Sequence, residues 1–174
     1  MKILYAIQGT GNGHLSRAME ITPVLQKNHQ VDLLISGSHA ELNLPFEVKY
    51  RFRGLGFMFG SNGGIDLIET YKKNYIKVLL SEINSLPVEE YDLVINDFEP
   101  VSAWAAYLKN VNCISISHQA AVLNKLSPKP NEFDVIGKAV LKNYAPAKAK
   151  YGFHFKAYDD HIFTPIIRGQ LRRK

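Results

Sequence analysis

The segment that most constrains the fold is a glycine-rich turn that follows the first hydrophobic run of the chain. Residues 3–7 are typical of a buried strand, and the next segment reads Gly9, Thr10, Gly11, Asn12, Gly13 and His14. Glycine lets a backbone turn tightly and adopt positive φ without a Cβ penalty. The helix that is predicted to begin at His14 offers unpaired N–H groups and a partial positive charge. The segment therefore predicts a site for a phosphorylated or hydroxyl-bearing ligand beside a histidine.

Two common nucleotide-binding glycine motifs do not fit this turn. The dinucleotide fingerprint needs a glycine where His14 stands and an acidic residue after the second strand, but predicted strand 31–35 runs into Ser36-Gly37-Ser38. The mononucleotide P-loop needs Gly-Lys-Ser/Thr, which does not occur. Nicotinamide chemistry is therefore disfavoured. A plain strand-to-helix turn, with His14 as a helix cap, stays open as the alternative.

Composition restricts the compartment and the partners. Of the 174 residues one is a cysteine, Cys113, in an apolar run, so no disulfide framework forms and a reducing compartment is expected. No apolar run approaches the ~20 residues of a membrane span, and the N-terminus lacks a signal-peptide pattern. A cytoplasmic protein is predicted, with peripheral contact at the inner face of the membrane left open. The net charge of +5 permits an anionic partner. Nucleic acid is not expected, because no zinc motif, RNP signature or basic helix occurs.

Predicted strands and helices alternate along the whole chain. Strands are expected at about 2–7, 30–36, 47–53, 92–96 and 113–117, with one or two short strands near 152–155 and 161–166. Helices are expected at about 14–27, 39–44, 66–86, 101–108 and 133–144. This order predicts a single Rossmann-like α/β domain over residues 1–174, built on a doubly wound parallel sheet. Residues 165–174 are expected to be a tail or the start of an interdomain linker.

The loop at residues 54–64 is both glycine-rich and aromatic. Such a loop suits a ligand-contacting role, and Gly60 and Asn62 are its candidate substrate contacts. The alternative is a hydrophobic flap tucked under the next helix, whose start is predicted from Asp66 and Glu69 in the pattern of a capping box.

Reactive polar groups follow three of the predicted strands. His14 follows the first strand, Asp97 the fourth, and His118 and Gln119 the fifth. Ligands of open parallel sheets bind beyond the carboxyl ends of the strands. A carboxylate can hold an imidazole in the tautomer that takes a proton from a hydroxyl, so Asp97 is the candidate partner of His14. The alternatives are that Asp97 caps the next helix or pairs with Arg17, and that His118 is a structural histidine. No convincing metal-ligand spacing is present.

The segment Gly-Thr-Gly-Asn-Gly-His-Leu-Ser-Arg-Ala, residues 9–18, resembles the start of GT-B glycosyltransferases of the UDP-glycosyltransferase superfamily. It resembles the members with a Gly-His-x-x-Arg-Ala signature and is similar to the N-acetylglucosaminyltransferases of peptidoglycan synthesis. Residues 93–98 resemble the strand and aspartate that orient a catalytic histidine in that superfamily. The pair His118-Gln119 keeps only part of the motif found after the fifth strand.

The resemblance implies the acceptor-binding N-terminal half of a GT-B fold. In it His14 is the general base or an acceptor contact, and Asp97 stands behind it. The implied substrate contacts are Gly9, Thr10, Gly11, Asn12, Gly13, Arg17, Gly60, Asn62, His118 and Gln119.

The implied donor is a UDP-sugar or another nucleotide-sugar, with no further cofactor and no metal. The implied acceptor bears a hydroxyl, lipid-linked acceptors included. The implied partner is a C-terminal donor-binding domain outside this chain, so the isolated chain is expected to be inactive. Half of a GT-B-fold sugar-nucleotide epimerase, and a non-catalytic domain that recruits a catalytic partner, are the alternatives.

Overall fold

A computed structural model describes residues 1–37, 42–55, 76–128, 135–167 and 169. The strands are β1 Lys2–Gln8, β2 Gln30–Ser36, β3 Tyr50–Phe52, β4 Leu93–Asp97, β5 Cys113–Ile116, β6 Ala149–Phe153 and β7 Ile162–Phe163. The described helices are α1 Asn12–Gln26, α2 Ile76–Ser85, α3 Pro100–Leu108, α4 His118–Leu123 and α5 Val135–Asn143, with a 3₁₀ turn at Val88–Glu90.

The strands form one seven-stranded parallel sheet in the order β3-β2-β1-β4-β5-β6-β7. This confirms the predicted Rossmann-like α/β architecture. The strand order reverses between β1 and β4, which is the topological switch point where open α/β sheets bind ligands. In the sheet register Ile7 pairs with Asp97, and Gln8 pairs with Ser36. The carboxyl ends of β1, β2 and β4 therefore lie level at one edge.

The two faces of β1 pack against different layers of helix, because side chains alternate along a strand. Leu4 and Ala6 lie in a cluster with residues of α2 and α3. Ile3, Tyr5 and Ile7 lie in a second cluster with residues of α1. A strand covered on both faces must be apolar along its length, which explains the unbroken hydrophobic run that begins the chain.

Several predicted boundaries were wrong by a few residues. Helix α1 begins at Asn12, two residues before the predicted start, and continues through Pro23. Strand β3 spans Tyr50–Phe52 rather than 47–53. Helix α4 was not predicted, because six residues are too few to show a helical period.

The helix predicted at 39–44 is absent from its described residues, and the helix predicted at 66–86 is described only in part. Residues 42–44 of the helix predicted at 39–44 are not helical. Pro45 explains this, since a residue before proline disfavours the α region. Residues 66–75, and with them the predicted capping box, lie outside the described residues. Across the described ranges, no helix is both long enough and apolar enough to span a membrane.

Candidate functional site at the switch point

The glycine turn after β1 combines one tightly packed glycine with two that face open space. The N–H of Gly9 donates to the carbonyl of Ser36 at 2.6 Å, and a Cβ at Gly9 would lie 2.7 Å from Cγ2 of Ile35. A Cβ built on Gly11 or Gly13 meets no atom of the described residues within 4 Å. Gly11 is the N-cap residue of α1, and no side-chain hydrogen bond caps this end of the helix. The turn therefore anchors the strand ends through Gly9 and leaves space beside Gly11 and Gly13 at the N-terminus of α1.

His14, Arg17 and Asp97 form one hydrogen-bonded cluster at the switch point. Nδ1 of His14 lies 2.8 Å from Oδ1 of Asp97. Arg17 donates hydrogen bonds to the same carboxylate from two nitrogens: Nε donates to Oδ2 at 2.8 Å and Nη2 donates to Oδ1 at 2.7 Å. The Asp97 side chain is fully buried, whereas those of His14 and Arg17 are 15% and 14% exposed. The cluster therefore reaches the surface through the imidazole and the guanidinium.

The contacts of Nδ1 determine where the imidazole carries its proton. Nη2 of Arg17 also lies 3.1 Å from Nδ1. A carboxylate only accepts hydrogen bonds and a guanidinium only donates them. Nδ1 therefore donates to Asp97 when it carries a proton and accepts from Arg17 when it does not, and it cannot do both. Asp97 is the nearer and is negatively charged, and we assign the Nδ1 proton to that contact. Nε2 then carries a lone pair, and it has no hydrogen-bond partner within the part of the chain that the structure describes.

The charges around Asp97 balance within the cluster. Burial acts to lower the pKa of Arg17, but the hydrogen bond and charge of Asp97 outweigh it, so the net pKa is raised and the side chain stays cationic. The charges of Asp97 and Arg17 both act on the phenol of Tyr5 in β1. Burial, and then the charge of Asp97, hold the pKa of its phenol well above the ordinary value. Its hydroxyl has no hydrogen-bond partner among the described residues.

The turn that carries Asp97 is fixed by its neighbours. Phe98 adopts φ +58°, a left-handed conformation that is rare for a bulky residue and is held here by the packing of its ring 4.6 Å from that of Tyr144. The amide of Asn96 donates to the carbonyl of Glu99 at 2.6 Å and to Oγ of Ser102 at 2.9 Å. The carboxylate that contacts His14 therefore projects from a rigid strand-to-helix turn.

Glu99, rather than Asp97, caps α3. Its carboxylate accepts from the backbone N–H groups of Val101 and Ser102 at 2.7 and 2.6 Å, and from the Ser36 hydroxyl at 2.6 Å. The side chain is fully buried, and burial raises its pKa, although the hydrogen bonds act in the opposite direction. The proposed capping role of Asp97 is thus wrong, and Asp97 is left to contact His14 and Arg17 together.

The end of β1 also fixes the start of the loop that follows β3. Nε2 of Gln8 donates to Oγ1 of Thr10 at 3.0 Å and to the carbonyl of Leu55 at 3.1 Å. The same carbonyl accepts from the hydroxyl of Tyr144 at 2.6 Å. Oε1 of Gln8 is buried and has no hydrogen-bond partner within the described ranges. Thr10 therefore takes part in a local network, and its predicted contact with substrate stays a prediction.

His118 lies on the same edge and is linked to the cluster through Phe153. Its side chain is exposed, and its Nδ1 lies 2.7 Å from the carbonyl oxygen of Phe153, which can only accept, so Nδ1 donates. The ring of Phe153 lies 5.3 Å from Cζ of Arg17. His154 stacks on His118 at 6.2 Å between ring centroids. The polar groups after β1, β4 and β5 therefore lie at one edge of the sheet, as the prediction from the strand ends expects.

The remaining predicted site residues have different surroundings. Oδ1 of Asn12 accepts from the N–H of Leu42 at 3.3 Å. Oε1 of Gln119 is buried without a partner among the described residues. Gly60 and Asn62 lie outside the described residues. No group of three or more His, Cys, Asp or Glu side chains that could hold a metal ion occurs in the described ranges.

Sequence reasoning missed Phe153 and the bond between Ser36 and Glu99. Phe153 has no sequence signal, because its contact with Arg17 depends on the position of β6 in the sheet. The bond between Ser36 and Glu99 did carry part of one, since Pro100 at the first helical position is typical of a helix start and places Glu99 at the N-cap.

A parallel sheet with this strand order and flanking helices defines a Rossmann-like α/β fold, which solved GT-B structures share. The model of a family described as "Glycosyl transferase family 1" matches residues 1–171, and the chain belongs to this family.

Solved structures share the fold. MurG from Acinetobacter baumannii is 16% identical with a TM-score of 0.52, and the match covers 98% of this chain and 48% of that one. A UDP-N-acetylglucosamine 2-epimerase is 13% identical with a TM-score of 0.50, and the match covers 94% of this chain and 47% of that one. The chain therefore spans about half the length of these two proteins. No curated protein sequence matches it significantly.

Proposed function

We propose that this chain is the acceptor-binding half of a nucleotide-sugar-dependent glycosyltransferase, and that His14 is its general base. The observation that carries the proposal is the 2.8 Å contact between Nδ1 of His14 and Oδ1 of the buried Asp97, at the open end of the sheet. Membership in glycosyl transferase family 1 supports the reaction class. A second Rossmann-like domain supplies the nucleotide-sugar site, in the same polypeptide or as a partner.

The chemistry follows from the placement of the imidazole. Nε2 of His14 takes the proton of an acceptor hydroxyl while that oxygen attacks the anomeric carbon of the sugar. The bond from this carbon to the nucleotide phosphate breaks, and the nucleoside diphosphate leaves with the bonding electrons. Asp97 stabilises the imidazolium that forms, through the Nδ1 proton that it already accepts. A Cβ at Gly11 or Gly13 would meet no described atom within 4 Å, which supports a role for the N–H groups of this turn in binding the substrate.

The substrate assignments belong to the same proposal. UDP-sugars are the first donors to test, and the acceptor is a soluble or lipid-linked molecule with a free hydroxyl. A lipid-linked acceptor would bring the protein to the cytoplasmic face of a membrane. Gly9, Thr10, Gly11, Asn12, Gly13, Gly60, Asn62, His118 and Gln119 are proposed to line the acceptor side.

Product analysis tests the reaction class. The complete protein, with its donor-binding domain, is incubated with UDP-glucose, UDP-galactose or UDP-N-acetylglucosamine, with and without octyl β-glucoside or free glucose. Glycosyltransfer predicts UDP release that depends on the acceptor, with a glycosylated product. Interconversion of the UDP-sugar without acceptor would instead establish an epimerase, and a donor left intact under all conditions would favour a non-catalytic binding domain.

A further inference from the structure

Arg17 contacts Asp97 through two of its nitrogens, which is more than charge balance alone requires. We propose that Arg17 is a positioning residue that orients the Asp97 carboxylate so that it accepts the Nδ1 proton of His14 and leaves Nε2 free to act as a base. This inference rests on the proposed function for its catalytic consequence, but its structural content can be measured without any turnover.

The geometry of the ion pair fixes the carboxylate in two ways. Arg17 engages both oxygens of Asp97, with Nε on Oδ2 at 2.8 Å and Nη2 on Oδ1 at 2.7 Å. Two parallel hydrogen bonds define the plane of a carboxylate, whereas a single bond allows it to rotate. Oδ1 is therefore held at the place where Nδ1 of His14 reaches it at 2.8 Å.

The sequence spacing and the sheet hold the guanidinium itself. His14 and Arg17 lie three residues apart on α1, so both side chains project from one face of the helix toward β4. The ring of Phe153 lies 5.3 Å from Cζ of Arg17 and supports its flat face from the β6 side. With Nε and Nη2 both committed to Asp97 and the side chain 14% exposed, this geometry favours a positioning role over direct contact with substrate.

Charge balance gives the second reason for the arginine. The Asp97 side chain is completely buried, and an unpaired charge in such a place is costly. The guanidinium offsets that cost, so the carboxylate stays available as an acceptor. A lysine would supply the charge but not the two parallel donors, so the two contributions can be separated by substitution.

The close approach of Nη2 to Nδ1, at 3.1 Å, makes the tautomer of His14 the decisive observable. If Nδ1 accepted a hydrogen bond from Nη2, the proton of a neutral ring would lie on Nε2, and His14 would have no lone pair facing the acceptor. If Nδ1 donates to Asp97, Nε2 is the base. Only the second arrangement agrees with the positioning role.

The experiment is long-range ¹H–¹⁵N NMR of the histidine rings in the ¹⁵N-labelled chain, at a pH at which His14 is neutral. The wild type is expected to show Nδ1–H almost exclusively, Arg17→Gln a mixture of both tautomers, and Arg17→Lys an intermediate mixture. His29 is the internal control and should give the same signals in all three. If Arg17→Gln does not fold, Arg17→Lys alone decides. A wild-type ring with Nε2–H, or a variant ring that keeps the full wild-type preference for Nδ1–H, would overturn the proposal.

A kinetic measurement on the complete protein separates this inference from the proposed function. Arg17→Lys is expected to slow turnover by about 10–100-fold, because a rotated Asp97 carboxylate also displaces the His14 ring and a misplacement of about 1 Å can cost about 10²-fold, while KM for the acceptor changes less than about threefold. A rise in KM at unchanged kcat would make Arg17 a substrate contact and would overturn the inference. Full turnover in His14→Ala would instead refute the general base, and the NMR result would still decide the role of Arg17.

Discussion

The hydroxyl of Ser36, the last residue of β2, donates a 2.6 Å hydrogen bond to the buried carboxylate of Glu99, which lies two residues after the end of β4. The bond connects the ends of two strands that flank β1 in the sheet. It joins the loop beside the glycine turn to the turn that carries Asp97. The geometry of the candidate site therefore depends on a carboxylate that cannot itself reach solvent.

Glu99→Gln should change how stability depends on pH. Burial raises the pKa of the Glu99 carboxyl in the folded protein above that in the unfolded chain. At pH values between these two pKa values, the folded protein keeps the carboxyl proton and the unfolded chain releases it. The contribution of Glu99 to stability is then largest at low pH and falls as pH rises. Urea unfolding from pH 4 to 8 should show the wild type losing stability relative to Glu99→Gln as pH increases. A wild type that instead gains stability over Glu99→Gln with rising pH would contradict this, and Glu47→Gln, at an exposed side chain, is the matched control.

Asp97→Asn should cost both stability and turnover. The substitution leaves the Arg17 guanidinium largely buried without its carboxylate, and breaking such a pair typically costs about 3 kcal/mol. It also removes the charge that stabilises the imidazolium, and turnover is expected to fall by about 10²-fold or more. Urea unfolding and steady-state turnover measure the two effects. Asp92→Asn is the control, because Asp92 is exposed and accepts only from the N–H of Lys2 among the described residues. Equal stability losses in the two variants would contradict the assignment.

Alanine substitution in the glycine turn should lower stability more at Gly9 than at Gly11. Gly9→Ala places a Cβ 2.7 Å from Ile35 Cγ2 and 3.0 Å from the carbonyl oxygen of Ser36, and overpacking of this kind costs about 1–3 kcal/mol. Gly11→Ala meets no described atom within 4 Å, and as a poorer N-cap residue it should cost less than about 1 kcal/mol. If the turn faces the substrate, Gly11→Ala raises KM for acceptor or donor in the complete protein. Thermal unfolding of both variants, followed by kinetics of Gly11→Ala, tests this. Gly11→Ala with unchanged KM would place the substrate elsewhere.

The fold was predictable because its signals are local. The apolar run of β1, the glycine turn and the start of α1 follow one another in sequence, and the parallel order follows from the alternation of strands and helices. The meeting of His14 and Asp97 was predictable from a general rule, that strand ends of an open parallel sheet share one edge. The register of Ile7 against Asp97 shows how that rule is met here.

The details of the cluster were not predictable from sequence, because they depend on how His14 and Arg17 both contact the oxygens of the Asp97 carboxylate. Contact of Asp97 with His14 and pairing with Arg17 were expected as alternatives, yet the two oxygens of Asp97 serve both. The alternative in which Asp97 caps α3 was wrong, because the left-handed φ of Phe98 turns the chain and brings Glu99 to the helix start. Neither Phe98 nor Phe153 belongs to a residue type or a pattern that signals these roles.

Turnover of His14→Ala in the complete protein, measured as acceptor-dependent UDP release beside the wild type, tests the general-base assignment most directly. His29→Ala is the matched control, because His29 lies immediately before β2, at the opposite end of the sheet. We predict that His14→Ala slows turnover by about 10²- to 10⁴-fold, the range typical of a lost general base, and that His29→Ala turns over like the wild type. A His14→Ala protein that is folded and turns over within about threefold of the wild type would contradict the account.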